Sequence, residues 1–121
     1  ESGYALAKEL LTHSEAGGPP DALFCGNDVI ALGALQYAQE TGIRVPQELC
    51  IAGFDGISYA SLAQIRLTTI RQDRQRMGET ATHLLLDEIE SNSEPAVQKV
   101  LLTPTLLAQA TTGDMRLDAA R

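Results

Sequence analysis

The run Leu49-Cys50-Ile51-Ala52 is apolar without interruption, and Gly53-Phe54-Asp55 ends it abruptly. Four apolar residues without alternation fit a strand buried on both faces of a parallel sheet better than one with a wet side. The next three residues change the chemistry. Gly53 lets the backbone turn or approach a neighbour closely, Phe54 offers a flat ring, and Asp55 supplies a carboxylate. Open α/β sheets bind ligands outside the carboxyl ends of their strands, which is where Asp55 falls.

A chain of 121 residues can bury one core but not two, and 44% apolar with 21% charged residues is an ordinary soluble globular composition. The formal net charge of −7 repels a phosphate backbone, so this segment is not expected to touch DNA itself. No run reaches the roughly 18 apolar residues of a membrane helix, and the first residues lack the pattern of a signal peptide. Cys25 and Cys50 each sit inside an apolar run, where a free thiol behaves as a small hydrophobe. With the two cysteines read as free thiols, a reduced, cytoplasmic compartment is expected, with no membrane contact.

Helical spacing of Tyr4, Ala7, Leu10 and Leu11 predicts an amphipathic helix over 2–13. A Gly-Gly-Pro-Pro loop leads into a short buried strand at 22–25, which ends at Gly26-Asn27-Asp28. Either Asn27 or Asp28 can cap the next helix, over 29–41. That helix is apolar on most of its surface, so part of it is expected to meet a protein partner. Gly42 is placed to end it in the left-handed conformation, with Ile43 and Pro46 behind. The strand at 49–54 follows, then a less regular stretch with a short helix at 60–64. Leu67-Thr68-Thr69-Ile70 has the β-branched content of a strand. Asp73 is a candidate cap for a helix over 76–91, whose Met77, Ala81, Leu84, Leu85 and Ile89 share one face. Residues 97–102 and 105–108 read as a last strand broken at Pro104, and the tail from Gly113 as frayed.

Asn27, Asp55 and Gln72 each follow a predicted strand of a parallel sheet. A carboxylate accepts from two neighbouring hydroxyls, amides donate and accept, and the Phe54 ring suits the C–H side of a sugar or a flat base. Such a set fits a small polyhydroxyl or nucleoside-like ligand. The same residues also suit a helix cap and a turn with no ligand at all. An enzyme would need a nucleophile with its base, or a metal cluster. His13 and His83 lie on predicted helices away from the strand ends and read as surface residues, and no metal-ligand spacing occurs, so neither catalysis nor a cofactor is expected.

The ordered set Pro20-Asp21-Ala22-Leu23-Phe24-Cys25-Gly26-Asn27-Asp28, Ala31-Leu32-Gly33-Ala34, Gly42-Ile43-Arg44-Val45-Pro46, Gly53-Phe54-Asp55, Leu67-Thr68-Thr69-Ile70-Arg71-Gln72-Asp73 and Met77-Gly78 resembles the effector-binding region of LacI/GalR-type transcriptional regulators. The resemblance runs from residue 3 to about 112. It implies an α/β parallel-sheet sandwich of the periplasmic-binding-protein-like type I, with two subdomains around a ligand cleft. Residues 1–72 would form part of the C-terminal subdomain. Residues 73–94 would be a crossover helix that packs on an N-terminal subdomain outside this chain, 95–112 a return strand and 113–121 a tail.

By position, Asn27, Phe54, Asp55 and Gln72 resemble ligand contacts, and Asp28 resembles the helix cap. The implied effector is a sugar or other small polar metabolite, and DNA would be reached only through an N-terminal headpiece that these residues do not include. A homodimer is implied, with the helix at 29–41 and the segment after Asp55 near its interface. The face of the helix at 76–91 would lack its subdomain partner. Its four large side chains, at ~1.5–3 kcal/mol each, represent ~6–12 kcal/mol of unused burial, so self-association or exchange of this helix between chains is expected.

Four positions depart from the pattern. Ile65 and Arg66 stand where many members carry prolines, Gly56 where Asp is frequent, and Gln109 where Arg is frequent. Gly56 also makes the motif similar to periplasmic sugar-binding proteins of transport systems, which is the alternative reading.

Overall fold

The computed structural model describes residues 2–12, 18–91 and 97–113. In chain order it contains helix α1 (Ser2–Thr12), strand β1 (Ala22–Phe24), helix α2 (Asp28–Thr41), strand β2 (Cys50–Asp55), strand β3 (Thr68–Arg71), helix α3 (Arg74–Glu90) and strand β4 (Thr105–Leu107). Two single 3-10 turns lie at Ser58–Ser61 and Ala110–Thr112. The sheet order is β1-β2-β3-β4, and β1, β2 and β3 run parallel. Two compact units divide the chain: Glu1–Arg71 with Leu106–Arg121, and Gln72–Thr105.

In the first unit, α2 packs on β2 and α1 packs along α2. Both ends of α2 follow from local chemistry. At the start, the Asn27 side chain accepts from the Ile30 amide at 2.8 Å, satisfying one of the helix's unpaired donors. At the finish, Gly42 takes the left-handed conformation (φ 77°). The Ile43 and Gly42 amides then donate back to the Ala38 and Gln39 carbonyls at 2.9 and 3.4 Å, a Schellman closure. The buried residues Ala31, Ala34, Leu35, Tyr37 and Ala38 are absorbed by the unit's own core, while Val29 stays exposed. Small residues let α1 come close. A Cβ on Gly33 would lie 2.7 Å from the Tyr4 amide nitrogen, and one on Gly3 would collide with the Ile30 carbonyl. The Tyr4 and Tyr37 rings meet edge to face at 5.3 Å. The Tyr4 hydroxyl donates to Glu40 at 2.7 Å, a bond that holds the Glu40 carboxyl below its ordinary range and the Tyr4 hydroxyl above its own.

Several expectations need correction. On β2, Ile51 and Gly53 are buried but Cys50, Ala52 and Phe54 are only half-buried, so the strand is not sealed on both faces. The sealed side is the one under α2, since Gly53 lies against Asp28 and Ala31 of that helix. β1 is an edge strand rather than a buried one, with Phe24 69% exposed; the buried residue is Cys25, just past its end. Leu10 is exposed on α1. The expected helix at 60–64 is instead the 3-10 turn at Ser58–Ser61. No strand forms over 97–102, and the last strand is confined to Thr105–Leu107. His13, residues 14–17 before β1 and the tail after Gly113 lie outside the described residues.

The amino ends of β2 and β3 are tied down by a segment distant in sequence. Thr111, which is buried, donates from Oγ1 to the Ile51 carbonyl at 2.6 Å and accepts from the Thr68 amide at 2.9 Å. Gln109 adds a bond from Nε2 to the Leu67 carbonyl at 2.8 Å, and its amide donates to Thr68 Oγ1 at 2.8 Å. In this chain the residue standing where Arg is frequent is thus part of the sheet's own hydrogen bonding. In the second unit, Asp73 caps α3 by accepting from the Arg76 amide at 3.0 Å, as its sequence position predicts. No residue of α3 is buried, and Met77, Leu85 and Ile89 are all exposed.

Candidate functional site

Asn27, Phe54 and Asp55 lie at the carboxyl ends of the adjacent parallel strands β1 and β2. Asn27 is half-buried and extended, and its Oδ1 is committed to capping α2. A ligand contact from Asn27 would accordingly use the amide's donor side. Phe54 is half-buried on the β2 face away from α2 and pairs in register with Ile70. Asp55 is the last residue of β2, half-buried and in register with Arg71. Gln72 is the residue after β3; it is half-buried and opens the second unit.

Asp55 has an unusual backbone. Its φ is 113°, outside the small left-handed region that Asp tolerates, and conformations of this kind cost of order 1–3 kcal/mol unless the surroundings hold them. Gly56 follows at φ 66°, so the chain leaves the sheet through two consecutive residues of positive φ. Glycine is needed at 56 for a second reason. A Cβ there would lie 2.7 Å from the Arg71 Cα, so a side chain at 56 would have to displace backbone.

Sequence reasoning gave Asp28 the wrong task. Asn27 is the cap, and Asp28 is the first residue of α2 and is completely buried. Its Oδ1 accepts from Thr69 Oγ1 at 2.5 Å, and its Oδ2 accepts from the Ile57 amide at 2.8 Å. Thr69 Oγ1 in turn accepts from the Gly56 amide at 3.2 Å. Asp28 also fills the space that a side chain at 53 would need, so Gly53 serves close approach and the turning falls to Asp55 and Gly56. Two features of the sequence pointed this way: an Asp directly after a residue able to cap, and a Gly inside a strand. Neither identifies Thr69, 41 residues away, as the partner.

Burial pushes the Cys25 thiol up, away from the reactive thiolate, and both cysteines are free. Among the described residues no three His, Cys, Asp or Glu side chains come together as a metal site, and no helix is long and apolar enough to cross a membrane. His83 is exposed on α3.

The match to known proteins agrees with this architecture. Residues 1–112 match the family described as a periplasmic binding protein-like domain, and the chain belongs to that family. Among its relatives is the HTH-type transcriptional repressor PurR of Erwinia tasmaniensis, 39% identical over 114 residues that cover 94% of this chain and 32% of the repressor. A LacI transcriptional regulator from a Rhodococcus species superposes with a TM-score of 0.79 at 33% identity, covering 92% of this chain and 39% of the other. The lac repressor dimer bound to operator and the anti-inducer ONPF gives 0.79 at 30% identity, covering 93% and 32%. The chain thus spans about a third of the length of the curated relatives it matches.

Gly56→Ala places a side chain at positive φ and against the Arg71 backbone. The expected outcome is a loss of on the order of 2–4 kcal/mol in stability, read from urea unfolding of the intact protein.

Proposed function

We propose that this chain is part of the effector-sensing domain of a LacI/GalR-type transcriptional regulator and supplies one wall of its ligand cleft. The observation that carries the reading is the strained carboxylate-bearing residue, Asp55, at the carboxyl end of a parallel strand next to the one that Asn27 follows. Strain of this kind persists where the surrounding structure holds it, and it clusters at binding sites. In this reading Asp55 accepts from ligand hydroxyls or ring N–H groups, Asn27 donates from its amide nitrogen, Phe54 covers an apolar face, and Gln72, the residue after β3, contributes its amide. The ligand class is a sugar or other small polar metabolite. Its effect on operator affinity follows from a difference in affinity for two arrangements of the domain.

The intact protein is read as a cytoplasmic, non-enzymatic homodimer that reaches DNA through a headpiece outside these residues. Residues 1–72 and 95–112 are assigned to one subdomain, and α3 (Arg74–Glu90), within 73–94, is the helix assigned to pack on another. The relatives are repressors, which favours this reading over a transport-system binding protein. With no residue of α3 buried, the 121-residue chain on its own should self-associate or exchange this helix. Light scattering is expected to show dimers or larger species; a stable monomer at high concentration contradicts this.

The site is tested by thermal shift of the intact protein with D-ribose, D-galactose, glucose 6-phosphate and adenosine. Asp55→Asn keeps the shape and the tolerance of positive φ but removes the charge. It is expected to weaken any stabilising compound about 10- to 100-fold, the value of a charge-assisted hydrogen bond or two. Unchanged affinity moves the site elsewhere.

A further inference from the structure

We infer that Asp28 and Thr69 are positioning residues for the proposed ligand carboxylate. Together they hold the two amides that follow Asp55 and so fix the positive-φ turn from which that side chain projects. The inference rests on the reading of Asp55 as a ligand contact for its purpose, but not for its geometry.

The observations form a closed chain of bonds. Thr69 Oγ1 accepts from the Gly56 amide at 3.2 Å and donates to Asp28 Oδ1 at 2.5 Å. Asp28 Oδ2 accepts from the Ile57 amide at 2.8 Å. Each group does what its chemistry allows: the hydroxyl donates once and accepts once, and the two carboxylate oxygens accept from different segments. Asp28 and Thr69 are both buried, so water does not compete for these bonds. Each also sits on a rigid element. Asp28 begins α2, fixed by the Asn27 cap, and Thr69 lies in β3, in register with Gly53. Gly53 is what lets Asp28 reach this point, because a Cβ there would occupy the same space as the carboxylate.

Two consecutive amides held from two rigid elements leave the preceding residue little freedom. That residue is Asp55, at φ 113°. A turn of ordinary conformation would point the Gly56 and Ile57 amides elsewhere, leaving the buried Asp28 Oδ2 without its donor and Thr69 Oγ1 with only its bond to Asp28. The strain at Asp55 is therefore offset within the same cluster. A binding residue gains from this arrangement, since a carboxylate held in place before the ligand arrives loses less freedom on binding.

The test is amide exchange and the three-bond HN–Hα coupling of Asp55, measured by NMR on the intact protein. Wild type, Thr69→Val and Thr69→Ser are compared. In the wild type, Gly56 and Ile57 are expected to exchange more slowly than Ser58 in the same loop; if they do not, the inference fails whatever the variants do. Thr69→Val keeps the shape and removes the hydroxyl. It should speed exchange at Gly56 and Ile57 about 5- to 100-fold, as loss of one buried hydrogen bond implies, and move the Asp55 coupling toward that of extended backbone. The Gly42 and Ile43 amides at the end of α2 should change far less, and Thr69→Ser should restore the wild-type pattern. A uniform acceleration of all amides, or an unchanged Asp55 coupling in Thr69→Val, overturns the inference.

A binding arm uses the same four compounds. If one stabilises the wild type, Thr69→Val should weaken it and Thr69→Ser recover it. If Asp55→Asn leaves binding intact while the exchange pattern holds, the proposed site fails and the positioning geometry stands.

Discussion

A carboxylate shut away from water has to find its hydrogen bonds within the protein, and Asp28 finds them in the two segments that define the sheet's carboxyl edge. One bond goes to Thr69 on β3 and the other to the backbone just past β2. Because Asp28 is also the first residue of α2, it joins a helix start, a strand and a loop at one point. Gly53 is required by its bulk, and Gly56 by the conformation that its bonds impose. Among the described residues no buried side-chain polar atom lacks a partner, so this edge is both strained and fully satisfied.

The opposite end of the same strands is secured differently. Thr111 and Gln109 arrive from the far end of the chain and bond to the Ile51 and Leu67 carbonyls and to Thr68, close to where β2 and β3 begin. The sheet is thus held at its amino edge by a returning segment and at its carboxyl edge by α2. Those two anchors let a short sheet present a defined edge, although β1 is three residues long and largely uncovered. The apolar side chains on α3 belong to a different problem: among the described residues none of them is buried.

How much of this the sequence could reveal depended on the range of the interaction. Signals that act over a few residues were legible: the left-handed Gly42, the Asp73 cap, the β-branched run of β3 and the abrupt end of β2 at Asp55. Long-range facts were not. Asn27 and Asp28 satisfy the capping rule equally well on paper, and only the presence of Thr69 and Ile57 decides between them. Apolar content predicted a buried β1, but burial also depends on what lies beside the strand, and here it is the edge. Residues 97–102 have strand-like content without forming a strand, because composition does not supply a pairing neighbour. Thr111, which ties two strands together from 60 residues away, carries no local signature.

The carboxyl edge of β1 and β2, held by Asp28, is proposed as a ligand-binding wall. A crystal structure of the intact protein with a compound that raises its melting temperature tests this most directly. The account predicts the compound against the Asp55 carboxylate and the Asn27 amide nitrogen, with the Asp28–Thr69 and Asp28–Ile57 bonds in place. A compound seated away from the ends of β1 and β2, with no contact to Asp55, would contradict it.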